Sequence, residues 1–179
     1  KMATITYQAD RGVLDLPEAV HHTIDVELSK AARRIYKDLS DNLTAEIQAG
    51  TINCANGLVA LLRLQQVTSG VATVDGDPPV VVRVDESKRD ALLDIIENLP
   101  MDEPLIAFGV FRADLDTIHE AAAKAKRGSL ELSGRRKELE KWQAGEAPIL
   151  AVQIKAGGVG IDLTKAGGKP CSYCVFLST

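Results

Sequence analysis

From residue 86 onward the chain repeats one pattern, and that repetition narrows the fold more than any other feature. Short apolar runs at Leu105–Phe108, Ile149–Val152 and Tyr173–Leu177, and a short strand-like segment around Ser129–Leu132, are separated by stretches whose apolar residues recur at helical spacing. The helical stretches are 86–98 with Leu92, Leu93 and Ile96, 112–126 with Leu115, Ile118 and Ala122, and 135–144 with Leu139 and Trp142. Strands joined by helices of ten to fifteen residues must lie parallel, because a tight hairpin cannot return the chain to the same end of a sheet. The expected unit is therefore an α/β lobe over 81–179, a parallel sheet with helices on both faces. Its chemistry belongs in the loops after Phe108, Leu132, Val152 and Leu177, beyond the carboxyl ends of the strands.

Only 4% of the 179 residues are aromatic against 45% hydrophobic, so the core is built from aliphatic stripes, as a sheet covered on both faces requires. Residues 1–80 read as a smaller, largely helical extension. Ile24, Val26 and Leu28 alternate with polar residues like a strand with one buried face. Ala31, Ile35, Leu39, Leu43 and Ile47 then recur every fourth residue, which predicts a helix from Lys30 to about Gln48 with Ser29 as its cap. A second helix is expected over 56–69, closed by Gly70, and the Asp-Gly-Asp-Pro-Pro stretch within 71–85 reads as a turn or linker.

The formal charge of -4 excludes adhesion to nucleic acid through bulk positive charge, so any contact with DNA must be local. The longest apolar runs are too short to span a bilayer and no basic-then-apolar leader opens the chain, which places it in the cytoplasm without a membrane partner. Three cysteines, Cys54, Cys171 and Cys174, give no disulfide framework. The last two have the spacing of half a zinc site, but no second pair completes it, so they read as thiols at the start of a buried strand and no metal site is expected. The start at Lys1-Met2 and the stop just after an apolar strand read as the ends of a fragment.

The most informative stretch runs from Gln153 to Thr164, QIKAGGVGIDLT, where a buried strand opens into a loop with three closely spaced glycines. Glycine permits close approach of backbone to a ligand, and the exposed amides of such a loop can cradle a phosphate. Asp162 is placed to accept from a ribose hydroxyl, and Lys155 and Thr164 to donate to phosphate oxygens. A glycine loop alone equally serves strand-to-helix packing.

The wider stretch IKAGGVGIDLTKA resembles motif V of Swi/Snf-like superfamily-two helicases, and three other segments match that family in order. LIAFGVFRADLDTI resembles motif IV, LELSGRRKELEKWQ resembles the segment that follows it, and DLPEAVHHTIDVELSKAARRIYKDL with LLRLQQVTSG resembles the helical region before the second lobe. The likeness covers nearly the whole chain and is strongest toward the compact helicases of phages and prophages. It implies a RecA-like C-terminal lobe of the P-loop NTPase helicase type, cooperating with an N-terminal lobe of the same polypeptide, with ATP and Mg in the two-lobe protein and DNA as partner, in a bacterial or phage-infected host cytoplasm. By the same resemblance Gly157, Gly158, Gly160 and Asp162 would face nucleotide, and Phe108, Gly109, Arg112, Arg135, Lys155 and Thr164 would lie toward nucleic acid.

Gln153-Ile154 stands where many members of that family carry a Ser-Thr pair, and the loop before Arg135 is short. The chain contains no G-x-x-x-x-G-K-[ST] phosphate loop and no Asp-Glu metal motif, the parts that hold the β/γ-phosphates and Mg²⁺, and the arginine motif that follows the last strand in that family is missing too. No catalytic residue and no bound cofactor are therefore expected in this stretch alone, and no ATP hydrolysis by it. His21-His22 on a strand would point to opposite faces and reads as surface. Two other readings stand beside the motor lobe: a non-catalytic nucleotide-binding module, disfavoured because the glycine loop follows a late strand, and a protein-interaction module docking through residues 20–70.

Overall fold

The computed structural model describes residues 18–157 and 161–178, and in them the sequence folds as two cores joined through residues 84–87. The carboxyl-terminal core is the α/β unit. Its elements are α3 (Ser87–Asn98), β5 (Leu105–Gly109), α4 (Arg112–Lys124), β6 (Ser129–Leu132), α5 (Leu139–Ala144), β7 (Ile149–Gln153), α6 (Ile154–Gly157), the short pair β8 (Lys165–Ala166) and β9 (Lys169–Pro170), and β10 (Tyr173–Phe176).

Strands β5, β6, β7 and β10 form one parallel sheet in the order β10-β5-β7-β6. Alternation along each strand feeds two separate apolar layers. Leu105, Ala107, Ile149 and Ala151 point to the face covered by α3 and α4, where Leu92, Ile96, Leu115 and Ile118 are buried. Ile106, Leu150 and Val152 point to the opposite face and meet Trp142 of α5 and Ala166 of β8. The chain runs outward from β5 to β6 under one face and returns to β7 under the other, as crossovers of one hand demand when their direction reverses. At about 25 cal/mol per Å² of apolar area removed from water, the fully buried Trp142 and Leu150 are each expected to contribute about 2 kcal/mol or more.

The amino-terminal core comprises α1 (Lys30–Asn42), β1 (Thr44–Ile47), β2 (Gly50–Asn53), α2 (Gly57–Thr68), β3 (Val71–Val74) and β4 (Val80–Arg83). Ser29 caps α1 by accepting from the Ala32 amide, and Asn56 caps α2 by accepting from the Val59 amide. Three expectations fail in this region. The helix foreseen to Gln48 stops at Asn42, where Leu43 takes a left-handed φ of 57° and the chain turns into the β1–β2 hairpin. The linker option for the Asp-Gly-Asp-Pro-Pro stretch fails and the turn option holds: it joins β3 to β4 in a hairpin whose strands were not foreseen, with Val71 to Val74 all buried. Residues 18–29 form no strand, and Ile24 is 58% exposed.

Elsewhere the differences are small. The helix expected from Arg135 begins only at Leu139, because Arg136 O accepts from the Ser133 amide and Lys137 bridges back to Leu132. Cys171 is half-buried and Cys174 exposed, so only one of the two thiols is sheltered as foreseen. His21 and His22 are both exposed. No helix among the described residues is long and apolar enough to cross a membrane.

The two cores are pinned together by charged groups. Asp85, 6% exposed, accepts from the Ser29 amide at 2.7 Å and the Ser87 amide at 2.8 Å, so one carboxylate holds the first turns of α1 and α3. Burial works against ionisation of Asp85, but those hydrogen bonds outweigh it and hold the carboxyl below its ordinary value. Arg83 of β4 reaches α4, donating to Thr117 Oγ1 at 2.6 Å and Glu120 Oε1 at 2.9 Å.

A candidate nucleotide and nucleic-acid edge

The loops after β5 and β7 leave the sheet toward opposite faces although the two strands are neighbours. Such a reversal opens a crevice at the carboxyl ends of the strands, the usual ligand position in an open α/β sheet. Gly109 pairs with Gln153 in register at this point, and Gln153 Nε2 donates to Val110 O at 3.2 Å, tying the two loops together.

The β5 loop is held from below by Asp114, which is 1% exposed. Its Oδ2 accepts from the Phe111 amide at 2.8 Å, the Val110 amide at 3.0 Å and the Ser178 hydroxyl at 2.6 Å. Ser178 Oγ in turn accepts from the Val110 amide at 2.9 Å, so the ends of β5 and β10 share one network. Glycine at 109 follows from this arrangement: an added Cβ would meet Asp114 Cβ at 2.4 Å. Arg112 opens α4 immediately beyond and is exposed. Phe108 lies half-buried with its ring stacked on Phe176, centroids 4.7 Å apart and planes 11° from parallel.

On the β7 side, Lys155 is exposed on α6 and Gly157 closes that turn. A Cβ on Gly157 would sit 2.3 Å from Val152 Cγ1, so this glycine is required by close packing onto the strand that precedes it. Gly158 and Gly160 lie outside the described residues. Beyond them Ile161 and Leu163 pack inward while Asp162 and Thr164 point out. Asp162 Oδ1 accepts from the Thr164 hydroxyl at 2.6 Å and the Thr164 amide at 2.9 Å, and these two bonds lower its pKa. Gln143 of α5 fixes the segment at two points, its Nε2 donating to Asp162 O at 3.2 Å and its own carbonyl accepting from the Gly167 amide at 3.0 Å.

Arg135 lies one strand further out, after β6, and its guanidinium is engaged within the chain. It donates to Glu131 at 2.8 Å and to Asp116 at 2.6 Å, pairings that raise its pKa further. Glu131 is fully buried, and burial pushes its carboxyl up; the bonds from Arg135, Ser133 and His119 nonetheless win and bring it down to about 2. Among the described residues no group of three or more His, Cys, Asp or Glu is placed to hold a metal ion.

The structure thus brings Phe108, Gly109 and Arg112 to one end of the sheet with Lys155 and Gly157, and sets Asp162 and Thr164 against each other on the α5 face. It also reveals partners that the sequence reading missed: Asp114, Gln153 and Ser178. An acidic residue at the third position of a helix, behind Phe111-Arg112, is a recognisable start signal that points to Asp114. Nothing local marks Ser178, whose partner is 64 residues away.

No family model matches this chain. It is 26% identical over 153 residues to protein p41 of Acyrthosiphon pisum secondary endosymbiont phage 1, a match covering 86% of this chain and 32% of that protein. It is 30% identical over 161 residues to MG018, an uncharacterized ATP-dependent helicase of Mycoplasma genitalium, covering 85% of this chain and 15% of that protein. The chain therefore spans less than a third of either relative, and both matches extend through the amino-terminal core as well as the sheet. Among solved structures, the helicase domain of Hef from Pyrococcus furiosus overlaps 52% of this chain and 25% of that one, with a TM-score of 0.41 and 16% identity. The sequence relationship is a distant one to a helicase.

Proposed function

We propose that this chain is the carboxyl-terminal, RecA-like motor lobe of a Swi/Snf-like, DNA-dependent ATPase that couples ATP hydrolysis to movement along nucleic acid. In this reading an N-terminal lobe of the same polypeptide supplies the phosphate loop and the Mg²⁺-binding carboxylates, and the present lobe closes on the nucleotide from the other side. The observation that carries it is the meeting of two loops of different motif resemblance at one crevice, Gly109–Arg112 after β5 and Gln153–Gly157 after β7, linked by the Gln153–Val110 bond.

Arg112 and Lys155 would offer cations to the phosphates of the strand, and Phe108 would back the loop through its stack on Phe176. Asp162, oriented by Thr164, keeps one carboxylate oxygen free of those two bonds for a ribose hydroxyl or a water on the nucleotide. Gly157 lets the backbone approach without displacing Val152. The bound nucleotide with its Mg²⁺ supplies the reactive phosphoryl group, and the contribution of this lobe is positioning and charge.

The test is a comparison of the chain alone with the chain joined to its N-terminal lobe. The joined protein should hydrolyse ATP faster in the presence of DNA, and Lys155→Ala or Arg112→Ala should reduce the DNA stimulation more than the basal rate. The chain alone should show no Mg-dependent, saturable turnover. DNA stimulation left intact by both substitutions would refute the assignment of this edge.

A further inference from the structure

At the outer side of the same edge, where β10 ends, a cleft of about 240 Å³ lies between the sheet and the last turn of α2. Gln65 and Thr68 line it from α2, and the half-buried Lys88 with Phe111, Phe176 and Ser178 line it from the α/β core. None of these six residues belongs to the glycine loop, and two of them come from the amino-terminal core. A cavity at the junction of two cores, lined by a few convergent polar groups and aromatic rings, has the anatomy of a ligand site.

Lys88 is half-buried and donates one of its three ammonium protons to Leu177 O at 2.6 Å. Desolvation lowers its pKa, while the charge of Asp114 works in the opposite direction. Asp114 already accepts three hydrogen bonds of its own. Among the described residues Leu177 O is the only acceptor that Lys88 meets, which leaves two ammonium protons for an oxygen-rich anion entering the cleft. Phe176 is 57% exposed although its ring rests on Phe108, so the stack leaves apolar surface uncovered. A half-buried ammonium and an exposed aromatic in one cleft are the two elements with which proteins hold single-stranded nucleic acid, one for the phosphate and one for the base.

We infer that the cleft takes one nucleotide of a bound single strand, its phosphate directed to Lys88 and its base laid on Phe176, with Gln65 and Thr68 closing the pocket from α2. The inference rests on the nucleic-acid reading given above and extends it to the amino-terminal core, which thereby becomes part of the track and not merely a tether. Arg112, which follows the cleft residue Phe111 in the chain, adds a second exposed cation nearby.

Fluorescence anisotropy of a labelled oligothymidylate with the full chain, measured between about 20 and 200 mM salt, tests this. Lys88→Gln should weaken binding about five- to tenfold at the low-salt end and reduce the slope of log K against log salt by about 0.7, the value of one single-strand phosphate contact. Lys88→Arg should restore most of the slope. Phe176→Ala should weaken binding about tenfold with the slope unchanged, since it removes stacking and no charge. Gln65→Glu, at an exposed position, should weaken binding about tenfold and remains informative if Lys88→Gln impairs folding. Tight binding by the parent chain that is indifferent to both Lys88→Gln and Gln65→Glu would overturn the cleft while leaving the edge assignment standing. Failure of the parent chain to bind the oligonucleotide even at 20 mM salt would overturn both.

Discussion

Asp114 is the residue whose removal reports most directly on the architecture of the edge. Its Oδ2 accepts from two amides and one hydroxyl at 2.6–3.0 Å in a site that is 99% shielded from solvent, and Lys88 lies close enough to feel its charge. In Asp114→Ala the Phe111 amide loses its acceptor outright, the Ser178 hydroxyl loses its own, and Lys88 loses its opposite charge; only the Val110 amide keeps a partner, in Ser178. With charge-assisted bonds worth roughly 1.5–3 kcal/mol each and an unpaired buried donor costing about 1–3, the expected loss is about 3–5 kcal/mol. Asp114→Asn retains an oxygen where all three bonds converge, so it should lose about 1–2 kcal/mol, the difference between ionic and neutral hydrogen bonds. Urea unfolding gives both numbers, and amide hydrogen exchange at Val110 and Phe111 gives the local consequence, faster in Ala than in Asn. An Asp114→Ala protein within 1 kcal/mol of the parent, with both amides still protected, would show that the carboxylate does not hold this loop.

Three further outcomes follow from the same geometry. Gly109→Ala places a methyl 2.4 Å from Asp114 Cβ and should cost about 1–3 kcal/mol, whereas Gly134→Ala, with open space around it, should stay within about 0.5 kcal/mol in the same thermal melts. Glu131, brought from an ordinary value of 4.5 down to about 2 in the folded chain, contributes about 3 kcal/mol of stability that is fully present above pH 4.5 and is lost as the pH falls from there toward 2. Stability curves for Glu131→Gln should accordingly lack that acid slope. Asp85→Ala removes the shared acceptor of the Ser29 and Ser87 amides and should lower stability by about 2–4 kcal/mol, with Asp85→Asn in between, as measured by urea titration.

The sheet was readable because its two central strands, β5 and β7, are buried on both faces and appear as apolar runs, with helices of clear period between the strands; the edge strand β10, expected to be buried, is instead largely exposed. β5, β6 and β7 and helices α2, α3 and α4 fall within two residues of expectation. The amino-terminal core was less legible for a definite reason. Leu43 and Ile47 lie four apart, a spacing that satisfies a helix and, being even, a strand as well; the left-handed turn at Leu43 settles the choice and leaves no local trace. The β-branched runs Val71–Val74 and Val80–Val82 flank a turn-forming stretch and are a hairpin signal, which the two prolines obscured. Residues 24–28 alternate correctly but find no neighbour to pair with among the described residues, and an isolated strand has no ladder to stabilise it. At the edge, the glycines and basic residues could be named from the sequence. The network of Asp114, Ser178 and Gln153 could not, because it forms only when strands 40 to 70 residues apart are brought side by side.

Asp85 also has a mechanical meaning. Since a single carboxylate secures the starts of α1 and α3 together, and Arg83 grips α4 from the adjoining strand, residues 83–87 act as a rigid coupling rather than a swivel. On the proposed motor reading, a pull on the leading segment before α1 would be delivered to the base of α3, where Lys88 is the second residue, instead of being absorbed in slack chain. In that reading, force and grip would be geared to each other across one short, stiff joint.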